Sequence, residues 1–320
     1  MSPRTRNWLV VGAIALVAAG ATVGATLLTR TGSVGSTTAA LPTQKGAPEL
    51  DLDLGVRTDS EAVALRRALG LYDAGRLDAA GKAFARYRSL EARVGAALSA
   101  WPNGFDRIAE LERQHPRSSL AQLELGLAFF WQGRLPQAQK AWRVALRAQP
   151  DTYYAIRADD LLHPRDAPGL PPFSPSFSLP PQIAQESAPK QLAYLAAHAR
   201  QGNAHDKLLY GVALQALHRP ISARRQFADA ASLAPHDPDA QVAAAVGLFD
   251  KNDPSAAFSK LGPLVRTFPK AATVRFHLGL MLLWIGQLKA ARAQLDRVVA
   301  AGPSPFVADA SLLLSKLGGK

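Results

Sequence analysis

The sequence contains no cysteine, so disulfides, thiolate zinc sites, cysteine nucleophiles and thiol-linked lipids are all excluded. Aromatic side chains are scarce, at 7% of 320 residues, while Ala, Leu and Arg are abundant, a balance that favours helix over sheet. Motifs that carry chemistry are missing too. The seven histidines (115, 163, 198, 205, 218, 236 and 277) form no H-E-x-x-H, and no two lie four apart on a helix. There is no glycine-rich phosphate loop and no G-x-S-x-G elbow, and the spacing of the 25 acids selects no catalytic pair. The cluster His236-Asp237-Pro238-Asp239 reads as a helix cap ahead of a metal site. The expectation is a protein without a cofactor, a metal or an enzymatic activity.

What is present begins at the N-terminus. Residues 1–7 are polar, with Arg4 and Arg6; Trp8 to Leu28 then runs 21 residues without a charge. As helix this spans about 30 Å, enough to cross a bilayer core. A cleaved signal peptide, with Ala19-Gly20-Ala21 as its site, is the rival reading, but its apolar region would run only ~7–15 residues. The basic residues ahead of the span predict a cytoplasmic N-terminus and an extracytoplasmic remainder, anchored in the cell membrane by a single pass. Residues 29–60, rich in Thr, Gly, Ser and Pro, read as a flexible tether with a span of ~30 Å.

From residue 61 the chain repeats itself. Ser119 to Thr152 holds Leu125-Gly126, Phe129, a turn at Gly133, Ala138, Trp142, Ala145 and Pro150. Copies starting at Ala204, Pro238 and Ala272 follow at intervals of 34. Their small first-helix residues are Gly211, Ala245 and Gly279, and their small second-helix residues Ala223, Ala257 and Ala291. Pro235, Pro269 and Pro303 close them. A first copy, residues 61–94, has Ala68, Leu71, Gly75, Ala80 and Phe84 but no closing Pro, and residues 95–117 look like a truncated or degenerate copy. In these positions the chain resembles the tetratricopeptide repeat family, a 34-residue helix–turn–helix unit. The resemblance implies an all-α solenoid, a right-handed superhelix preceded by the transmembrane helix, with repeats over 61–162 and 187–320. Small residues sit where helices cross closely, and Phe129 and Trp142 fill the space beside them. Asp151 to Leu162 reads as one more helix, and Pro305 to Leu317 as an amphipathic cap.

The connector 163–186 breaks the array. Seven prolines between His163 and Gln182 exclude regular helix. This stretch carries Leu170, Phe173, Phe177 and Leu179, and two readings stand. It folds back along the inner face, onto side chains such as Phe130, Trp131 or Leu208, and shields that face; or it is a solvated linker.

The formal charge is +12. Residues 1–30 carry three arginines and no acid, leaving 34 basic against 25 acidic side chains. Many lie on second helices (Lys82, Arg86; Lys140, Arg143; Arg224, Arg225; Lys289, Arg292), which the resemblance places on the convex side. That face is either simply solvated or attracted to anionic lipid or wall polymer; nucleic acid is not expected, for want of a groove-reading motif. The family's binding face is concave. There the sequence offers Leu123, Leu127, Phe130 and Trp131, then Leu208, Val212, Val246 and Phe249, then Phe276, Leu280 and Trp284. The branch that grips C-terminal carboxylates uses Lys, Arg and Asn at such positions; this chain has apolar residues instead. They serve as core or as a groove for a peptide or helix. The resulting expectation is a membrane-anchored scaffold or adaptor for protein–protein interaction in the envelope. Its architectural rival is a repeat subunit of cytochrome c maturation, and its rival from another class an envelope enzyme or a subunit of one.

Overall fold

Most of the helical hairpins start with a first helix capped by a side chain. In the computed structural model, which describes residues 46–318, the helices before residue 163 are α1 (Ser60–Asp73), α2 (Leu77–Phe84), α3 (Leu90–Ser99), α4 (Phe105–Gln114), α5 (Ser119–Trp131), α6 (Leu135–Ala148) and α7 (Tyr153–Leu162). Asp59, Ser89 and Ser118 cap α1, α3 and α5, accepting the N–H of Ala62, Ala92 and Ala121. These helices, with the extended residues preceding them, make one compact unit, residues 46–162. Its core runs from Leu65, Phe84 and Leu98 to Leu123, Trp142 and Ala145.

The second unit, residues 163–318, opens with an extended, proline-rich segment. Then come α8 (Pro181–Ala184), α9 (Ala188–Gln201), α10 (Ala204–Ala216), α11 (Pro220–Leu233), α12 (Pro238–Val246), α13 (Ser255–Thr267), α14 (Ala272–Trp284), α15 (Leu288–Ala300) and α16 (Val307–Gly318). Asn203 and Asp206 form a capping box on α10, and Asp237 caps α12 by accepting the Asp239 N–H, the role its sequence context suggested. Phe227, Leu261, Met281 and Leu295 are buried at the centre, and Phe306 and Ala310 seal the end at α16. Among the described residues each unit therefore holds three hairpins and a closing helix, and the second adds α8 and α9 in front.

Turns and crossings follow from single residues. The hairpin turn needs a left-handed residue whose N–H meets the carbonyl three positions back: Gly133 has φ +77° and donates to Phe130, and His218 adopts φ +55° and donates to Gln215. At the crossings, a Cβ on Gly126 would lie 2.3 Å from the Trp142 indole, one on Gly211 2.3 Å from the Phe227 ring, and one on Gly279 3.0 Å from Leu295. The small residues read from the sequence are small because a large side chain sixteen residues later lies against them.

Three expectations need correction. The first hairpin ends at Phe84, and Val94 lies inside α3, so residues 61–94 are not one repeat; the truncated or degenerate copy expected over 95–117 is a shortened hairpin, α3 and α4, that starts at Leu90. Residues 46–58 are not part of a free tether: Leu50 and Leu54 are buried. The anchor Trp8–Leu28 and tether residues 29–45 lie outside the described residues. Among the described residues, no helix is long and apolar enough to cross a membrane.

Candidate peptide-binding grooves

The first helices of the hairpins supply an inner wall in each unit, and in each unit an extended piece of the chain lies on it. In the second unit this piece is 169–179. The Phe173 side chain is 1% exposed, stacked on His277 at 5.0 Å and edge-on to Phe227 at 5.3 Å between ring centroids. Its main chain is held as firmly as its ring. The Gln215 amide takes both main-chain groups of Phe173: Oε1 accepts its N–H at 3.1 Å and Nε2 donates to its carbonyl at 3.3 Å. The next N–H, of Ser174, donates to His277 Nε2 at 3.0 Å. Ser176 donates its N–H to Asp239 Oδ2 at 2.8 Å, and its hydroxyl to the same oxygen. Trp284 Nε1–H donates to the Gly169 carbonyl at 3.3 Å. Further on, Phe177 packs on His205 with ring centroids 4.2 Å apart and the planes tilted by 31°, and Leu179 packs beside α9 with Leu195 and Leu209.

His277 is built for its task. Burial pushes its imidazole down to about 4, so the ring is neutral near pH 7. Its Nδ1–H donates to the Thr273 carbonyl at 2.7 Å, which leaves Nε2 as an acceptor facing the Ser174 N–H.

In the first unit the occupant is 46–54. Trp131 Nε1–H donates to the Gly46 carbonyl at 3.0 Å, and the Tyr72 hydroxyl donates to the Pro48 carbonyl at 2.6 Å. The Asp51 N–H donates to Glu124 Oε1 at 2.9 Å, and the Asp53 N–H to the Tyr154 hydroxyl at 3.0 Å. Side-chain charge adds to this. The Asp51 carboxylate accepts from Arg157 Nε and the Tyr153 hydroxyl, both at 2.9 Å, and Arg157 also pairs with Glu49. Burial lowers the Arg157 pKa, but the Asp51 and Glu49 carboxylates outweigh it and hold the guanidinium above its usual range. Burial first, and the Asp51 charge second, push the fully buried Glu124 carboxyl well above the ordinary glutamate range.

The sequence-derived groove residues are divided by this arrangement. Leu123, Leu127, Leu208, Val212, Val246, Phe249, Phe276, Leu280 and Trp284 are buried. Phe130 is half-buried and packs on Trp142 at 5.9 Å. Trp131 is half-buried, with its indole N–H on Gly46. Trp131 therefore belongs to the groove held by 46–54 and Phe130 to the core beside Trp142, whereas 169–179 lies with Leu208 in its own unit. A cavity of about 40 Å³ remains between Leu170, Gln215, Phe227 and Phe249. The polar readers of the main chain, Tyr72, Glu124, Gln215, Asp239 and His277, were missed. Glu124 and His277 each stand alone as a buried ionisable side chain on an otherwise apolar first helix. The basic second-helix residues Lys82, Lys140, Arg143, Arg224, Arg225, Lys289 and Arg292 are exposed, and so is Arg86, which lies in the turn after α2. Among the described residues, no group of three or more His, Asp or Glu is placed to hold a metal ion.

The fold of each unit is tetratricopeptide-like. Similar solved structures are of that kind. The tetratricopeptide protein YrrB, described as having an unusual peptide-binding site, is 14% identical over 65% of this chain and 97% of its own, with a TM-score of 0.33. A tetratricopeptide repeat protein from Parabacteroides merdae is 12% identical over 81% and 99%, at 0.35. The thermophilic protein TTC0263 of Thermus thermophilus is 21% identical over 59% and 99%, at 0.27. Such scores fall short of a shared overall arrangement, so the assignment rests on the hairpins, turns and crossings above. No protein-family model matches the chain, and no curated protein matches it.

Proposed function

We propose that this protein is a membrane-anchored, extracytoplasmic scaffold that binds extended polypeptide segments of other proteins. The observation that carries the reading is the grip on main chain in both units. Walls that pair a buried apolar seat with side chains hydrogen-bonded to backbone N–H and C=O groups are equipped to hold an extended peptide. The groove is thus less purely apolar than its sequence suggests. In this reading the uncharged run Trp8–Leu28 supplies the anchor and the basic flank Arg4 and Arg6 sets its orientation. The exposed basic second helices draw the domain toward anionic lipid or wall polymer. Accessory work in an envelope process such as cytochrome c maturation is compatible with this architecture and has no residue of its own to recommend it.

Two experiments test the reading. A reporter active only outside the cytoplasm, fused after Lys320, should be active, and full-length protein should stay with membranes through a high-salt wash. A soluble form lacking residues 1–21 would instead establish a cleaved signal. A photo-crosslinking residue in place of Trp131 or Phe130 should join defined envelope proteins in native membranes. Crosslinks confined to this chain would refute the scaffold reading.

A further inference from the structure

The two groove segments occupy the same register. Residues 46–54 read GAPELDLDL and residues 169–177 read GLPPFSPSF. Set Gly46 on Gly169, and Pro48 falls on Pro171, both buried; Leu50 falls on Phe173, both buried; Leu54 falls on Phe177, both apolar. The walls line up as well. Trp131 and Trp284 are the last residues of α5 and α14, helices of equal length, and each donates to the carbonyl of the leading glycine. Seven residues earlier stand Glu124 and His277. Both are fully buried, and each accepts the N–H of the residue five after that glycine, Asp51 and Ser174. Tyr72 and Gln215 are each the next-to-last residue of α1 and α10, and each reads main chain between these two points, at Pro48 and Phe173. Carboxyl and imidazole, phenol and amide differ in chemistry but not in placement.

We infer that each groove is a recognition site for one class of ligand, an extended segment of pattern Gly-x-Pro-x-(Leu/Phe)-x-x-x-(Leu/Phe), and that the two segments of this chain are built-in ligands which a partner segment of that pattern replaces. This rests on the reading that the grooves bind polypeptide, and it specifies which polypeptide. Glycine leads because Gly46 and Gly169 adopt φ +92° and +72°. Proline at the third place keeps the segment extended and needs no donor there, since the wall meets Pro48 by its carbonyl. Apolar residues four and eight after the glycine fill the seats. Charge then separates the two grooves. Arg157 pairs with Asp51 and Glu49, so the first groove selects acidic segments. Asp239 accepts from the Ser176 N–H and hydroxyl, so the second selects a hydroxyl and rejects an acid at that place. Because the built-in segment is covalently attached, it competes at high effective concentration, and the intact chain is a weak binder until that segment is unseated.

The test uses the full chain in detergent, carrying Phe173→Ala with Phe177→Ala to unseat the second segment. The probe is a fluorescein-labelled peptide of sequence GLPPFSPSFSL, followed by polarisation. Ser174→Pro, which keeps both anchors but deletes the N–H read by His277, replaces the double variant if that one loses helix by circular dichroism. The peptide should bind the folded variant at least tenfold more tightly than it binds wild type. N-methylation at the probe's Ser174 equivalent, alanine at its Phe173 equivalent, or aspartate at its Ser176 equivalent should each weaken binding at least tenfold. Equal binding of the N-methylated or a scrambled peptide would overturn the register while leaving a peptide-binding scaffold standing. No binding to either folded variant would overturn the inference, showing the segment to be a fixed part of the fold; the crosslinking experiment then judges the scaffold reading separately. A concentration-dependent dimer that takes up no peptide would also overturn it, in favour of exchange between copies of this chain.

Discussion

Replacing Gly126 with alanine adds one methyl group where the structure has no room for it. The new Cβ would stand 2.3 Å from Trp142 Nε1 and 2.4 Å from Cδ1, against a comfortable heavy-atom separation of about 3.5–4.0 Å. Trp142 is 2% exposed and packs against Phe130, so the ring cannot retreat without disturbing its surroundings. Overpacking costs about 1–3 kcal/mol, and a 2.3 Å clash against a ring that cannot retreat belongs to the upper part of that range, about 2–3 kcal/mol. Removing glycine from a helix interior returns about 1 kcal/mol, so the expected net loss is about 1–2 kcal/mol. With a denaturant slope of about 2 kcal/mol/M, the urea midpoint of the first unit should fall by about 0.5–1 M. Gly279→Ala is the control. Its Cβ meets Leu295 Cδ2 and Cγ, both at 3.0 Å, and the Ala291 carbonyl at an ordinary 3.5 Å, so a shift of Leu295 by a few tenths of an ångström offsets the clash and the net change should stay within about 0.5 kcal/mol. A second comparison isolates the cause. Trp142→Leu installs at this crossing the pair found at Gly279 and Leu295. It costs no hydrogen bond, since Trp142 Nε1 is buried without a partner. In that background Gly126→Ala should be neutral or stabilising by up to about 1 kcal/mol. Equal midpoints for wild type and Gly126→Ala, or the same loss in both backgrounds, would refute the steric account.

The two buried readers give opposite pH responses. His277 is depressed to about 4 from 6.5, so the unfolded chain takes up the proton first; the stability this residue contributes is complete above about pH 6.5 and falls, by up to roughly 3 kcal/mol, as pH drops toward 4. His277→Gln should flatten that slope in urea titrations between pH 7.5 and 4.5. Glu124 is raised, so its contribution is complete below about 4.5 and is lost as pH rises; Glu124→Gln should stabilise the first unit at pH 8 and do nothing at pH 4.5. Arg157→Met leaves Asp51 and Glu49 without their cation beside Glu124, and should cost on the order of 3 kcal/mol at pH 7, read as a lowered thermal midpoint. In wild type, thermolysin should leave 163–182 intact; Phe173→Ser with Phe177→Ser should open that stretch to cleavage and raise the fluorescence of a hydrophobic dye. Cutting of the wild-type segment as fast as in the variant would contradict this seating.

The helices were legible because their signals are redundant. Around Gly126 and Trp142, period, turn glycine and closing proline all name one register. The first two hairpins were harder to read, since they are short and lack the closing proline at the first. The seating of 169–179 was one of two readings open in the sequence: prolines exclude helix, and Phe173 and Phe177 must be covered by something. Its counterpart 46–54 was hidden, because alternating Leu with Glu and Asp after a Thr- and Gly-rich stretch looks solvated. Nothing local to that segment shows that Arg157, more than 100 positions away, neutralises its acids. Glu124 and His277 stayed invisible for a related reason. A polar residue inside an apolar helix reads as a surface position unless the backbone it serves is already in view.

The two seated segments differ in one topological respect. The first is continuous with residues 1–45 on one side only, and α1 follows it within six residues. The second is fastened at both ends, to α7 at Leu162 and to α8 at Pro181. A pull along the chain from residue 45 therefore loads the bonds of the first segment in sequence: the carbonyl of Gly46 against Trp131, then that of Pro48 against Tyr72, then the Asp51 contacts. Bonds broken one after another yield at far lower force than bonds sharing a load. The second segment has no end to pull; it can leave only as a bulging loop, with all its contacts strained together. One clasp opens like a zipper and the other like a snap.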